Sequence, residues 1–245
     1  AHRGAHNKYP ENSLAAIQEA IRLGVDIAEI DVKVSKDGVP FLMHDRTMDR
    51  TTTGKGDPEK LTWDELQQFN IVHHGKPTSL KIPSLEQVLN TAKGKILIDL
   101  DIKTDGINEI IKVIDKTGTN EMVIFFDDDY HTLSAVQKAD KEFMLMPRAH
   151  SENEIDSAIL LFDPPVVHID FGCYTNEAAS SIKESFARIW INALGEPDDG
   201  IRKGKDKRSL KKLLANGANI IQTDEPELLL KSLEKKGYRT ELTNL

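Results

Sequence analysis

Two carboxylates two residues apart, Glu29 and Asp31, with an imidazole further on at His44, have types and a spacing that could do chemistry. In a strand, side chains repeat every two residues, so both acids share one face and Ile30 and Val32 take the other. Between the acids and His44 lies Asp37-Gly38, a strong short hairpin signal. Asp31 stands six residues before Asp37 and His44 six after Gly38, so a tight turn there predicts His44 opposite Asp31. Carboxylates that close repel one another unless something neutralises them. Oxygen ligands favour a hard divalent cation, Mg2+ or Ca2+.

Further polar residues fall at equivalent places. His2 and Arg3 open the chain. In Leu97-Ile98-Asp99-Leu100-Asp101-Ile102-Lys103, the residues Asp99, Asp101 and Lys103 share one face of a predicted strand. Such residues are costly inside a core without partners, whereas at the rim of a sheet they can hold a metal and an anion. Trp190 and Asn192, then Thr223-Asp224-Glu225-Pro226, follow late in the chain.

The elements that must position these groups are legible as alternation. Tyr9 to Ser13 reads as a helix start, with Asn12 or Ser13 as cap and Leu14, Ile17, Ala20 and Ile21 at helical spacing. Thr62 with Glu65, and Ser84 with Gln87, mark two more helix starts. Residues 46–57 are polar and read as a loop. Strands are then expected at 95–103, 122–127, 143–148, 166–171, 188–193 and 219–223. Helices are expected at 107–116, 130–139, 152–161, 176–185, 209–216 and 225–236. Such alternation implies a parallel sheet with helices outside it. With His2-Arg3-Gly4 ending a first strand and Ala28–Val32 as the second, the count reaches eight. Eight units predict a TIM (β/α)8 barrel with a β-hairpin extension after strand 2, its site at the C-terminal strand ends. No repeat or linker divides the chain, so 1–245 is read as one domain, with 46–79 as a lid or insertion.

The 245 residues suit such a barrel, and their net charge of −8 argues against nucleic acid as a partner. A small phosphate ester needs only local cations. The single cysteine, Cys173, excludes an intrachain disulfide and a multi-cysteine metal site; it reads as a packed small residue. No apolar run reaches the ~18 residues of a membrane span, so no stable membrane insertion is expected. The abrupt start at Ala1 suggests that an upstream segment has been removed or left out, which leaves the compartment open, periplasmic, secreted or cytoplasmic. The sequence carries no sign of oligomeric state.

In order along the chain, these motifs resemble the glycerophosphodiester phosphodiesterase family. The pattern comprises His2-Arg3-Gly4, Pro10-Glu11-Asn12-Ser13, and Glu29 to Asp45 with its Asp-Gly turn and His-Asp ending. It continues in Asp49-Arg50-Thr51-Thr52 with Gly54-Lys55-Gly56, then Ile82-Pro83-Ser84-Leu85, and closes with Thr223-Asp224-Glu225-Pro226. The family's Trp-x-x-Asn is here Trp190-Ile191-Asn192, one residue short. Its usual Glu-x-Lys is here Asp101-Ile102-Lys103, one methylene shorter in the acid.

The resemblance implies a metal-dependent phosphodiesterase on a TIM barrel. The metal ligands would be Glu29, Asp31 and Asp101, with Asp99 as a further candidate, and the cofactor one divalent cation, Mg2+ or Ca2+. The catalytic pair would be His2 and His44, one as base and one as acid, with neither part assigned. Arg3 and Lys103 would bind phosphate oxygens, and Trp190 would line the mouth beside the substrate. The implied substrate is a small glycerophosphodiester, cleaved to sn-glycerol 3-phosphate and an alcohol. Two other readings share the barrel: a phospholipase-D-like or phosphoinositide-cleaving enzyme, and a non-catalytic binding domain. A lipid-cleaving enzyme needs an apolar surface around the mouth, and no basic amphipathic helix or apolar loop supplies one. A binding domain would have lost a histidine or an acid, and all are present.

Overall fold

A computed structural model of the chain describes residues 1–240. The expected domain runs on to 245, and residues 241–245 lie outside the described residues. The described residues fall into two compact units, His2–Ile124, and Ala1 with Phe125 onward. No described helix is long and apolar enough to cross a membrane.

In the first unit, α1 (Leu14–Arg22) begins where the Ser13 hydroxyl accepts the Ala16 N–H, and buries Ala16, Ile17 and Ala20. Strand β1 (Ile27–Val34) is buried along nearly its whole length, and β2 (Pro40–Leu42) pairs with it antiparallel. A 3-10 turn (Pro58–Lys60) and a one-turn helix α2 (Trp63–Leu66) follow, the latter with a Thr62/Glu65 capping box. Two short strands, β3 (Val72–His73) and β4 (Lys76–Pro77), form a small antiparallel ribbon. Helix α3 (Leu85–Ala92) starts on the Ser84/Gln87 capping box. Strand β5 (Leu97–Ile102) pairs parallel with β1, and α4 (Ile107–Thr117) ends at Gly118 in the left-handed region. The strand order is β5-β1-β2. Met48, Leu66 and Ile71 of the segment 46–79 pack with Phe41, Met43 and Ile82 into a small core beside β2.

The second unit repeats strand and helix. It runs β6 (Val123–Asp127), α5 (Tyr130–Ala139), β7 (Met144–Ala149), α6 (Glu152–Phe162), β8 (Val166–Ile169) and α7 (Asn176–Glu184). It continues with β9 (Arg188–Asn192), α8 (Glu196–Arg202), α9 (Asp206–Leu213), β10 (Ile220–Gln222) and α10 (Pro226–Lys235). The strands lie in sequence order β6 to β10, and the pairs from β7 to β10 are parallel. Side-chain oxygens of Asp129, Ser151 and Thr175 cap α5, α6 and α7. Val167, Ile169, Ile189 and Ile191 of the strands meet Ile155, Ile182, Leu210 and Leu213 of the helices in one core.

Two expectations need correction. His2-Arg3-Gly4 does not end a strand: residues 2–7 form turns, because Arg3 and Gly4 take φ of 51° and 76° and leave the extended region. His44 does not stand opposite Asp31. The hairpin pairs Val32 with Leu42, and the Met43 N–H donates to the Asp31 carbonyl at 3.0 Å. The turn is one residue longer than a two-residue loop. Gly38 N–H bonds the Ser35 carbonyl at 2.9 Å and Gly38 sits at φ 84°, a type I turn followed by a left-handed residue. Beyond these two, α8 and the β3/β4 ribbon occupy stretches for which the sequence pattern predicts no helix or strand. Pro197 in the first turn of α8 and its acidic start are helix-initiating signals that Gly200 obscures.

Candidate active site

The parallel register of β1 and β5 sets Glu29 beside Asp99 and Asp31 beside Asp101. Period two then puts all four acids on one face of the strand pair. Glu29, Asp31 and Asp99 are 1–2 % exposed and Asp101 is half-buried. One carboxylate oxygen from each of Glu29, Asp31 and Asp101 lies within 4.8 Å of the other two. Burial, then the neighbouring carboxylates Asp31, Asp101 and Asp99, push the Glu29 carboxyl well above its ordinary pKa. Asp99 is raised in the same way, by burial first and by Asp101 next.

Lys103 Nζ lies 2.7 Å from Asp101 Oδ1. Burial works against the charge on Lys103, yet the Asp101 carboxylate, with Asp31 and Glu29 behind it, holds its pKa above the usual lysine value. Asp31 Oδ1 and Asp99 Oδ1 are buried without a hydrogen-bond partner among the described residues. A buried carboxylate oxygen left unmet is expensive. The donor set is all oxygen, it converges, and it keeps an unmet atom on Asp31. It therefore fits a hard divalent cation on Glu29, Asp31 and Asp101.

The N-terminal turn is fastened onto these acids. Arg3 N–H donates to Glu29 Oε2 at 2.6 Å and Gly4 N–H to the Glu29 carbonyl at 3.1 Å. A Cβ on Gly4 would stand 2.9 Å from the Ala16 Cβ, so glycine is needed both for its φ and for close passage over α1. Asn12, at φ 53°, hands helix capping to Ser13 and spends its amide on Asp31. Its Nδ2 donates to Asp31 Oδ2 at 2.7 Å, and its Oδ1 accepts the Asp31 N–H at 3.1 Å. Arg3 Nη1 donates to Glu11 Oε1 at 2.9 Å, and Arg3 Nε stands 3.4 Å from Asp31 Oδ2 without hydrogen-bond alignment. His2 is half-buried, its ring edge-on to His6 with centroids 6.1 Å apart.

His44 follows one residue after Met43 and is partly exposed. Its Nδ1 lies 2.7 Å from Asp45 Oδ1. Arg50 grips the same carboxylate through Nε to Oδ2 at 2.6 Å and Nη2 to Oδ1 at 2.8 Å. The Arg50 hydrogen bonds, foremost, hold Asp45 far below the usual carboxylate range, despite partial burial. An ionised Asp45 only accepts, so Nδ1–H donates and Nε2 is left for chemistry. The other edge of Arg50 binds Glu11, Nη1 to Oε2 at 2.7 Å and Nη2 to Oε1 at 2.8 Å. Burial raises Glu11, but Arg50 and Arg3 outweigh it and keep the acid ionised below its ordinary pKa.

The fold of the first unit thus brings Arg3, Glu29, Asp31, Asp101 and Lys103 together, and ties His44 to Arg3 through Asp45, Arg50 and Glu11, whereas the contact described for His2 is with His6. Trp190 lies on β9 of the second unit, 2 % exposed, with Nε1 donating to Asn192 Oδ1 at 3.3 Å. Glu11, Asn12, Asp45 and Arg50 were quoted above only as parts of motifs, with no role beyond a helix cap for Asn12. An acid directly after a candidate histidine is the one sequence signal that could have singled out Asp45. In the second unit, Asp170 bridges Arg148 Nη2 and His150 Nδ1, each at 2.7 Å.

Solved structures share this fold over almost all of the chain. A phosphodiesterase of Oleispira antarctica, in complex with the product sn-glycerol-3-phosphate, matches with a TM-score of 0.83 at 22 % identity, covering 96 % of this chain and 95 % of that one. A glycerophosphodiester phosphodiesterase of Agrobacterium tumefaciens str. C58 matches with a TM-score of 0.76 at 21 % identity over 94 % and 97 %. The chain is therefore an α/β protein of the TIM-barrel class. The family model described as the glycerophosphoryl diester phosphodiesterase family matches residues 2–169. The chain belongs to that family, one of phosphoric diester hydrolases. It is 28 % identical over 255 residues to the glycerophosphodiester phosphodiesterase of Caldanaerobacter subterraneus subsp. tengcongensis, covering 97 % of this chain and 98 % of that one. It is 29 % identical over 168 residues to the human glycerophosphodiester phosphodiesterase 1, covering 69 % of this chain and 43 % of that one.

Proposed function

We propose that the protein hydrolyses small glycerophosphodiesters to sn-glycerol 3-phosphate and an alcohol, with one divalent cation, Mg2+ or Ca2+, held by Glu29, Asp31 and Asp101. One observation carries the reading: three carboxylates converge within 4.8 Å, and a buried oxygen of Asp31 has no partner among the described residues. A diester anion repels nucleophiles, and a bound cation supplies Lewis acidity toward its phosphate. Arg3 offers a fork of donors to the phosphate oxygens and Lys103 a point charge.

The glycerol 2-hydroxyl is within reach of the phosphorus in any such substrate, so it is the nucleophile of choice. One histidine of the His2/His44 pair takes its proton as the O2–P bond forms. The other gives a proton to the departing alkoxide as the P–O bond to the alcohol breaks. Water then adds to the cyclic phosphate and the new O2–P bond opens, which leaves the phosphate on the primary carbon. The exchange of roles between the two histidines returns both to their starting states. Asp45 fixes the His44 proton on Nδ1 and so makes Nε2 the reacting atom. Segment 46–79, packed beside His44, is assigned as the lid, and Trp190 as a residue lining the substrate.

Phosphorus NMR of glycerophosphocholine turnover tests the route. Glycerol 3-phosphate should appear, and an analogue without the 2-hydroxyl should react at least about 100-fold more slowly, as expected when an intramolecular nucleophile is removed. Equal rates for the two compounds would contradict the cyclic route.

A further inference from the structure

We propose that Arg50 is a positioning residue that presets both halves of the site, His44 through Asp45 and Arg3 through Glu11. The proposal rests on the function proposed above. Arg50 is half exposed, where an arginine ordinarily spends its donors on water. Here its Nε and both terminal nitrogens make four hydrogen bonds of 2.6–2.8 Å to two carboxylates. The planar fork meets one carboxylate on each edge, a geometry that a lysine's single ammonium cannot copy. Among the described contacts, the hydrogen bond to Asp45 is the only one that the His44 ring makes. His44 also lies beyond the end of β2, so no strand pairing of its own fixes it. Glu11 Oε1 accepts from Arg3 Nη1 and from Arg50 Nη2, so the same guanidinium sets the tilt of the phosphate-binding arginine.

A clamp that merely stiffened the loop would affect stability. A positioning residue divides its effects between kcat and KM according to which arm is cut. Asp45→Asn, which cuts the His44 arm, should lower kcat tenfold to a hundredfold with KM little changed, the usual scale for partners of functional side chains. Glu11→Gln, which loosens Arg3, should chiefly raise KM. Arg50→Lys should do both. Because Arg50 acts on His44 through Asp45, the double variant Arg50→Lys/Asp45→Asn should lose no more kcat than the worse single variant.

The second readout needs no turnover. Nitrogen-15 NMR of the His44 imidazole in the unaltered protein at neutral pH should show the proton on Nδ1, and Arg50→Lys should mix the two tautomers. Arg50→Lys with kcat and KM within about twofold of the unaltered protein, whatever its melting temperature, would overturn the proposal. So would multiplying losses in the double variant, or a proton on Nε2 of His44. Should the variants fail to fold, the tautomer in the unaltered protein decides alone. If the unaltered protein cleaves no glycerophosphodiester, that counts against the proposed function, and the tautomer still decides this inference.

Discussion

Asp31 depends on Asn12 more than on any other uncharged side chain. The amide satisfies one carboxylate oxygen and the backbone N–H of the same residue, and so fixes the carboxylate that converges with Glu29 and Asp101. Asn12→Ala would leave both groups unmet in a buried place. It should cost about 1–3 kcal/mol of stability in chemical denaturation and weaken Mg2+ or Ca2+ binding by roughly tenfold to a hundredfold in a calorimetric titration. Binding unchanged in that titration would show that Asp31 needs no orientation. At this scale the sequence was informative where a period decides. The spacing of Glu29 and Asp31, and of Asp99, Asp101 and Lys103, settles which side chains share a face. It was silent on Asn12 with Asp31, 19 residues apart, and on Arg50 with Glu11, 39 apart, because no local rule pairs side chains at such distances.

At the scale of elements, the site depends on a turn passing over a helix. Gly4 crosses α1 at Ala16, and the same turn delivers the Arg3 and Gly4 N–H groups to Glu29. Gly4→Ala combines a strained φ with a Cβ contact of 2.9 Å, so the turn must lift. Activity should fall at least about tenfold and stability by roughly 1–3 kcal/mol, read by turnover and denaturant midpoint. Full activity would mean that the turn does not position the acids or Arg3. The caps at Ser13, Thr62 and Ser84 were readable because each couples two residues close in sequence. The hairpin register was not. Asp-Gly suits both a two-residue turn and the longer turn found here, and one added residue moves His44 from beside Asp31 to one place beyond it. The first strand failed for a related reason: His-Arg-Gly carries no mark of positive φ at Arg3.

At the scale of the whole molecule, alternation of strand and helix was enough to name the class, since parallel strands with helical crossovers admit few closed arrangements. One contribution to stability against acid was harder to foresee, because it comes from a single buried side chain. His168 on β8 is 2 % exposed with no hydrogen-bond partner for either ring nitrogen among the described residues, and burial pushes its pKa down to about 3. An unfolded histidine titrates near 6.5, so between those values the unfolded chain holds the extra proton. Stability therefore rises with pH across that window and is lost as pH falls from about 6.5 toward 3, by at most about 5 kcal/mol from this residue. His168→Phe should flatten the melting temperature between pH 6.5 and 4, and an unchanged slope would mean that other groups govern acid unfolding. The measurement that reaches the centre of the account is release of glycerol 3-phosphate from glycerophosphocholine. It should be run with Mg2+ or Ca2+, then with EDTA, for the unaltered protein and for His44→Ala. Release that needs the metal and disappears in His44→Ala is the predicted result. Release that survives either EDTA or the loss of His44 would contradict a cation on Glu29, Asp31 and Asp101 working with that histidine.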